Sequence, residues 1–504
     1  MLSSFFGDSP GDGWKSGSDE KGSKATCMTD EAPSPPMARG KFVGLVNQGA
    51  TCYLNSFFQF LYSVPELRDL FLSLPFGSDA KGAARVAFGI KKLMMNMRFL
   101  DTQSQSTEFL REIFGWKGTE QSDQHDMQEA MKMILFLIQD SLKSLPQGRR
   151  FEELLMGKLE NYIRCEACGA TSGRPEEFFD LVLQMRSDQN EKIDSVEKSL
   201  QAFVSPELLT GDNQYFCEGC QKKQDAKKGC SITSAPIYLQ FTVNRFNFDF
   251  NTMERVKSKD PFSFPLKLSL SEFFSEPRQR EDAEYDLVSV IVHTGPPYSG
   301  HYFFHTKNLI ENSEEWVTLN DTSIKPFDLA ELKKLYGGKD RSETAHMIFY
   351  RRCSAPLNPA AEAPAKDPLY MDLMSQNSEL QNQRAEYELK KKQIRVYIVS
   401  FSLLLELGLV SGESPELILE PFDSKMFPEA IVELTDLPAL RRAVVQNAQD
   451  LEISTSKFFC AKKQEETIFF QKEVKLEENG DSAEASVLPH NSLLVCVGKK
   501  DWTR

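Results

Sequence analysis

The sequence has no excess of positive charge and no long apolar run. Its 59 Lys and Arg are outnumbered by 73 Asp and Glu, which gives a formal net charge of −14. This balance argues against a general nucleic-acid or anionic-membrane binder and suits a basic partner. The longest apolar run, 396–410, contains Glu406 and is shorter than the roughly 20 residues that a membrane span requires. We therefore expect neither nucleic acid nor a membrane as a partner.

The N-terminus also lacks the pattern of a secretory signal. Residues 1–6 carry no basic segment and lead into no sustained apolar stretch. The ten cysteines are spread along the chain, which predicts a reducing compartment, either cytoplasmic or nuclear or both. Hydrophobic residues make up 40% and charged residues 26% of the sequence, as in ordinary soluble proteins. The 504 residues are enough for about two to four domains.

One short stretch, 44–56, places a cysteine directly before an apolar helix. The apolar residues of that helix share one face: Leu54, Phe57, Phe58 and Leu61. Cys52 is therefore predicted in the first turn, with Thr51 as the cap. The helix dipole there stabilises a thiolate, and Asn47 in the preceding loop can direct its amide at the same place as an oxyanion donor. The alternative is a buried structural cysteine, so a partner base decides between them.

A histidine and an amide–carboxylate pair supply the partners that Cys52 needs. His301 follows a glycine-containing loop and begins an alternating run that predicts a strand. A second predicted strand ends in Asn320 and Asp321. Cysteine, histidine and then Asn/Asp is the order of a thiol protease, in which the histidine is the general base and the third group fixes its tautomer. We expect Asn320 to orient His301, with Asp321 sharing that role.

Four further cysteines form two Cys-x-x-Cys pairs: Cys165, Cys168, Cys217 and Cys220. Gly169 and Gly219 help the chain turn, so that all four sulfurs can reach one metal ion. In a reducing compartment this pattern predicts one structural, tetrahedral zinc ion. Four unrelated cysteines are the alternative. A redox pair fits poorly, because neither pair opens a helix after a strand.

The segments around Cys52, His301 and Asn320 resemble the cysteine and histidine boxes of the ubiquitin-specific proteases. Further segments match the same family: 124–129, 244–246, 285–287 and 293–295. The resemblance implies an α+β, papain-like cysteine protease over residues 41–352. A helical thumb would carry Cys52, a β-rich palm would carry His301 and Asn320, and zinc-tipped fingers would span about 150–245.

The resemblance also implies the reaction and the substrate. The enzyme would hydrolyse the isopeptide or peptide bond after the C-terminal Gly of ubiquitin, without a cofactor in the chemistry, and its partners would be ubiquitin and ubiquitinated proteins. The implied contacts with the ubiquitin tail are Tyr53, Gln124, Asp126, His293, Gly300 and Tyr302. For residues 124–126 the alternative is a helix cap with a surface histidine.

The remaining segments differ in composition from this domain. Residues 1–40 are rich in Gly, Ser, Asp and Pro and are predicted to be a disordered leader. Residues 353–392 read as a Pro/Ala linker followed by a helix. Residues 393–500 contain strand patterns and one helical pattern, around 437–447. This order is consistent with a β-grasp, ubiquitin-like domain.

Two other functions remain open at this point. A catalytically silent scaffold would bind ubiquitin without cleaving it, although the intact Cys52, His301 and Asn320 argue against this. A protease for another ubiquitin-like modifier would keep the same chemistry and would need a substrate tail that ends in Gly-Gly. The abrupt end of the sequence after Arg504 suits a short form of a longer protein.

Overall fold

The computed structural model describes residues 35–36, 42–49, 51–114, 127–187, 189–249, 252–274, 282–297, 300–357 and 363–400, and a set of short strands beyond residue 400. Apart from residues 35–36, the predicted leader lies outside the described residues, as does the helix predicted at 437–447. The chain divides into two compact units, one reaching Asn377 and the other continuing from Ser378.

Helices dominate the first hundred described residues, as their hydrophobic periodicity predicts. The helices are α1 (Cys52–Ser63), α2 (Pro65–Leu72), α3 (Ala83–Phe99), α4 (Glu108–Phe114), α5 (Met127–Leu142), α6 (Pro146–Leu155), α7 (Val196–Val204) and α8 (Pro368–Lys392). All 12 residues of α1 are buried. The apolar residues of α5 that lie at helical spacing are buried: Met127, Met131, Ile134, Ile138 and Leu142. Among the described residues, no helix has the length and apolar character to cross a membrane.

Strands make up most of the first unit after α6. Two short strands precede them in the chain. In chain order the strands are β1 (Gly44–Leu45), β2 (Ser104–Gln105), β3 (Gly157–Cys165), β4 (Thr171–Phe178), β5 (Asp180–Leu183), β6 (Glu207–Leu209), β7 (Tyr215–Cys217), β8 (Lys222–Gln224), β9 (Ala226–Ser234), β10 (Tyr238–Val243), β11 (Phe246–Asp249), β12 (Glu254–Lys257), β13 (Lys267–Ser269), β14 (Glu284–Thr294), β15 (His301–Lys307), β16 (Trp316–Asn320), β17 (Ser323–Phe327) and β18 (Glu343–Arg352). This content gives the α+β class predicted from the sequence.

The central sheet has the strand order β17-β16-β15-β14-β18-β10-β5, with β13 added beside β14. Its neighbours are antiparallel except for β10 and β5. The register pairs His301 with Thr294 and Tyr302 with His293. Because β16 flanks β15 on the other side, Asn320 at the end of β16 comes beside His301 at the start of β15.

The helices cover one face of this sheet and a second apolar core covers the other. Ile291 belongs to the core shared with the helices, whereas its neighbour Val290 belongs to the opposite core. This explains why β14 and β18 are almost continuously buried instead of alternating with polar residues. Phe60 of α1 stacks on Phe349 of β18 with ring centroids 4.0 Å apart.

A buried polar triad joins the helices to the sheet. Arg351 Nη2 lies 3.1 Å from Glu66 Oε1, and the side chains are 9% and 1% exposed. The Tyr238 hydroxyl donates to Glu66 Oε2 at 2.8 Å and accepts from Arg351 Nε at 3.0 Å. All three groups are thus paired away from water, as buried charges require. The triad fixes α2 against β10 and β18.

A smaller sheet extends from residues 157–234 in the order β4-β3-β9-β6, and β7 and β8 form a separate hairpin. Both faces of β4 are largely exposed, so this sheet contributes little to the main cores. The Cys-x-x-Cys pairs follow from its topology, since β3 ends at Cys165 and β7 ends at Cys217.

The second unit contains strands β19 (Gln393–Ser400), β20 (Glu416–Leu417), β21 (Glu429–Glu433), β22 (Phe458–Gln464), β23 (Thr467–Val474) and β24 (Ser492–Val497). The first strand, β19, pairs with β21 in the antiparallel sense and with the last strand, β24, in the parallel sense. β22 and β23 form a hairpin that is extended by β20. Because β19 and β24 are parallel neighbours, the chain between them must cross over from one end of the sheet to the other.

Candidate active site

Cys52 is the first residue of α1, at the end of the loop that follows β1. The residue is 3% exposed, and the backbone N of Tyr302 lies 3.5 Å from its Sγ. Thr51 stands at the N-cap but makes no capping hydrogen bond. Its Oγ1 accepts from the backbone N of Gln48 at 2.9 Å instead. The predicted capping role of Thr51 is therefore wrong, because its hydroxyl closes the loop before the helix.

His301 lies between Cys52 and Asn320. Its Nε2 is 2.7 Å from Asn320 Oδ1, which leaves Nδ1 as the ring nitrogen for the thiol. The hydrogen bond with Cys52 is the main cause that raises the pKa of His301 to about 9. Burial opposes this rise and the hydrogen bond with Asn320 adds to it. A histidine that favours its protonated form beside a cysteine stabilises a thiolate–imidazolium pair.

Asp321 follows Asn320 in a left-handed conformation, with φ of 50°. Its carboxylate accepts from Asn47 Nδ2 at 3.0 Å and from Asn55 Nδ2 at 2.8 Å. The charge of Asp321 also helps to raise the pKa of His301, but the group within hydrogen-bond distance of the ring is Asn320. Asp321 thus connects the segment that carries Cys52 to the strand that carries Asn320.

Asn47 is held by both ends of its amide. Its Oδ1 accepts from the backbone N and the hydroxyl of Thr51, at 3.3 and 3.2 Å. One N–H of Nδ2 goes to Asp321, and among the described residues no hydrogen bond uses the other. An amide fixed in this way, next to the start of α1, is suited to donate to an oxyanion. Asn55, which shares Asp321 with Asn47, was not predicted, although it is a polar residue one turn after Cys52 in an apolar helix.

A cluster of rings lies beside the loop that precedes His301. His293 is 1% exposed, and its ring centroid lies 4.6 Å from that of Tyr302 and 5.1 Å from that of Phe246. His346 also packs on Tyr302 and Phe246, with ring centroids 5.6 and 5.3 Å away. A Cβ on Gly300 would overlap His293 Nε2, so only glycine fits there. Burial lowers the pKa of His293 to about 3 and keeps the ring neutral.

The hairpin β11–β12 covers this ring cluster. Phe246 comes from β11, and Arg255 of β12 lies over its ring, 5.1 Å from the centroid. Lys257 Nζ donates to the His293 carbonyl at 2.9 Å and to the Ser342 carbonyl at 3.2 Å. Lys257 was not singled out in the sequence because a lysine directly after an apolar residue, Val256, carries no local signal of such a contact.

The predicted substrate contacts are only partly described. Tyr53 is 5% exposed, and burial, followed by the charge of Cys52, raises the pKa of its phenol. Gln124 and Asp126 lie outside the described residues. The helix that follows them, α5, is anchored by Gln128, whose Nε2 donates to the buried Asp180 Oδ2 at 2.6 Å.

The four predicted metal ligands come together away from this site. The sulfurs of Cys165, Cys168, Cys217 and Cys220 all lie within 4.8 Å of one another. Four thiolates around one tetrahedral zinc, with bonds of about 2.3 Å, are about 3.8 Å apart, so the group is positioned to bind a metal ion. Gly169 has a φ of 74°, which the turn after Cys168 requires. Gly219, predicted to serve the same purpose, is not among the residues with positive φ.

Comparison with known proteins shows which family the chain resembles. The family model described as "Ubiquitin carboxyl-terminal hydrolase" matches residues 43–350. Ubiquitin carboxyl-terminal hydrolase 47 of Homo sapiens is 29% identical over 62% of this chain and 27% of its own length. The Drosophila melanogaster protein of the same name is 28% identical over 67% of this chain and 26% of its own length.

A plant relative extends the comparison. Ubiquitin C-terminal hydrolase 12 of Arabidopsis thaliana is 33% identical over 59% of this chain and 26% of its own length. The chain thus spans about a quarter of the length of these curated relatives. The aligned part includes the segments that carry Cys52, His301 and Asn320, since the family match runs from 43 to 350.

Proposed function

Because the chain belongs to the ubiquitin carboxyl-terminal hydrolase family, we propose that it is a deubiquitinase, a thiol protease that cleaves after the C-terminal Gly of ubiquitin in conjugates. The observation that carries this proposal is the hydrogen-bonded series from Cys52 through His301 to Asn320, within the residues that the family model matches. A thiol, a base with a raised pKa and an orienting amide are the parts that acyl transfer through a thioester requires.

The reaction follows from these groups. His301 takes the proton of Cys52, and the thiolate attacks the carbonyl carbon of the terminal Gly. The C–N bond then breaks as His301 returns the proton to the leaving amine. The Asn47 amide and the Cys52 N–H stabilise the oxyanion, and loss of one such donor typically costs about 3 kcal/mol in the transition state. Water, deprotonated by His301, then attacks the thioester carbonyl and releases Cys52.

We propose that the ring cluster lines the channel for the ubiquitin tail. Gly300 has no side chain, and the neutral ring of His293 occupies the space that a side chain there would need. Tyr302 is buried beside Cys52. A wall of this kind would admit the side-chain-free Gly-Gly end and reject larger residues. Tyr53 would lie on the same channel, and Gln124 and Asp126 would bind the tail at the start of α5.

A structural zinc ion is the metal that suits the four cysteines, since all the donors are sulfur and the set leaves no position for water. Cys165, Cys168, Cys217 and Cys220 would hold it at the end of the sheet over 157–234, the fingers of the family. It would tie β3 to the β7–β8 hairpin, and it would supply no chemistry to the reaction, because Cys52 and His301 suffice.

We infer that the second unit is a ubiquitin-like, β-grasp domain over residues 393–500. The support is the parallel pairing of the first strand, β19, with the last strand, β24, beside the antiparallel pairing of β19 with β21. A first strand paired in the parallel sense with the final strand and in the antiparallel sense with an earlier one is the centre of a β-grasp sheet. Residues 353–392 would connect it to the catalytic domain at 41–352.

We also propose that the protein works in the cytoplasm, the nucleus or both, with ubiquitin and ubiquitinated proteins as partners and without nucleic acid or membrane. The seven cysteines whose side chains the structure describes form no disulfide bond, as a reducing compartment favours. The net charge of −14 suits a basic partner.

Hydrolysis of a fluorogenic ubiquitin C-terminal amide tests the function. Wild-type protein and the control variant Cys230→Ala should turn over the substrate, whereas Cys52→Ala should not. Cys230 is a half-buried cysteine of β9 outside both sites. Wild-type protein that binds ubiquitin without turnover would refute the proposal in favour of a scaffold, and selective turnover of another modifier ending in Gly-Gly would change the substrate.

A further inference from the structure

Helix α8 begins by packing on α3, within the same compact unit as the active site. Lys91 of α3 is 4% exposed, and its Nζ lies 2.6 Å from Asp367 Oδ2, just before α8. Leu373 is 2% exposed, and the ring of Tyr370 meets Phe99 edge-on at 4.9 Å. Residues 367–377 are therefore part of this unit, although they lie beyond the residues that the family model matches.

Asn377 makes two hydrogen bonds at the end of α3. Its Nδ2 donates to the carbonyl of Phe99 at 2.7 Å, and its Oδ1 accepts from the backbone N of Asp101 at 2.7 Å. Phe99 is the last residue of α3, so its carbonyl is one of those that lack a partner within the helix. A single side-chain amide thus fixes the direction in which the chain leaves α3.

The segment that leaves α3 holds the nucleophile loop. The Gly44 N–H donates to the Gln103 carbonyl and the Val46 N–H donates to the Gln105 carbonyl, both at 2.9 Å. These bonds accompany the parallel pairing of β1 with β2. Asn47 follows Val46 directly, and its amide is the proposed oxyanion donor. Two residues separate the last contact of Asn377, at Asp101, from the start of β2.

We propose that Asn377 is a positioning residue for the reaction, holding 99–105 so that β1 presents the Asn47 amide to the oxyanion. The inference rests on the proposed hydrolase function. Asn377 acts through Asn47. The Cys52–His301 pair is held by other contacts, because Cys52 belongs to the buried helix α1 and His301 is oriented by Asn320.

The test compares Asn377→Ala with wild-type full-length protein and with Gln376→Ala as the matched control. Gln376 is the exposed neighbour on the same helix and bonds only to Asp372 among the described residues, at 2.8 Å. Steady-state hydrolysis of the ubiquitin amide gives kcat and KM. The rate at which iodoacetamide alkylates Cys52 gives the reactivity of the thiolate, which needs no oxyanion donor.

Asn377→Ala should lower kcat at least about fivefold while KM and the alkylation rate stay within about twofold, because a donor displaced by a fraction of an ångström loses most of its effect. Gln376→Ala should change none of these values. In an Asn47→Ala background, Asn377→Ala should cause no further loss of kcat, since the group it positions is gone.

Two results would overturn the inference alone. The first is an Asn377→Ala variant that matches Gln376→Ala in kcat. The second is a loss of kcat with an equal loss of the alkylation rate, where the losses of kcat caused by Asn377→Ala and Asn47→Ala are additive. This result would indicate general destabilisation. Wild-type protein without turnover would overturn the proposed function as well.

Discussion

Glu66→Gln tests the strength of the buried triad that joins the helices to the central sheet. The substitution keeps the shape of the side chain and removes the charge that faces Arg351. Because the two side chains are 1% and 9% exposed, water does not replace the lost carboxylate. Removing one partner of a buried ion pair costs about 3–5 kcal/mol. We expect about 3 kcal/mol here, since the glutamine oxygen and the Tyr238 hydroxyl remain as neutral acceptors.

The assay is urea unfolding of the full chain. Hydrolytic activity is the signal, and it is measured at the same urea concentration in which the protein was equilibrated. With a slope of about 3 kcal/mol per M, the midpoint should fall by about 1 M. Asp286→Asn is the matched control, because Asp286 pairs with Lys267 on the surface, where the side chains are 41% and 78% exposed. That variant should shift the midpoint by less than about 0.3 M.

A double variant separates the lost charge from the lost packing. Replacing both ions, as Glu66→Gln with Arg351→Met, should recover much of the stability, because no buried charge is left without a partner. The reasoning would be refuted if Glu66→Gln shifted the midpoint no more than Asp286→Asn. It would also be refuted if the double variant were as unstable as the sum of its single changes.

Three more outcomes concern the active site and the metal group. The pKa of His301 is about 9, above its ordinary 6.5, so the imidazolium contribution is complete below pH 6.5 and is lost as the pH rises through 9. We therefore expect kcat/KM to fall as the pH rises through 9, and Asn320→Ala should move this fall to lower pH. A fall at unchanged pH would contradict the hydrogen bond assigned to Asn320. Gly300→Ala should lower kcat/KM at least about a hundredfold, because the added Cβ overlaps His293. Activity within tenfold of wild type would show that the His293 ring can move aside. A chelator that removes the metal should lower the thermal midpoint and weaken ubiquitin binding without changing the rate of Cys52 alkylation, and an equal loss of alkylation would show that the metal group supports the catalytic pair.

Local patterns predicted the elements that depend on local periodicity. The helix that begins at Cys52 forms as predicted, because helical spacing alone decides which side chains share a face. The group of four cysteines was predicted because a Cys-x-x-Cys spacing brings two sulfurs close together independently of the surrounding fold. Cysteine, histidine and asparagine were found through their order in the chain, which is a family pattern and not a geometric one.

Contacts between distant segments left no such signal. The Tyr238–Glu66 hydrogen bond joins residues 172 positions apart, and the Arg351–Glu66 bond joins residues 285 positions apart. Thr51 was predicted as a cap from a local preference, but the loop before α1 uses its hydroxyl instead. The contacts of Asp321 with two asparagines depend on its positive φ, which a sequence does not reveal for a residue other than glycine.

The position of β18 has a consequence for the biosynthesis of the enzyme. This strand lies in the interior of the central sheet, between β14 and β10, yet it is made after all the other strands of that sheet. A nascent chain emerging from the ribosome can form its helices early, but it must leave a gap between β14 and β10 until residues 343–352 are free to insert. Until then β14 and β15, with His301, have no fixed place opposite the thiol. The first unit would therefore complete the Cys52–His301 arrangement only after residues 343–352 have left the ribosome.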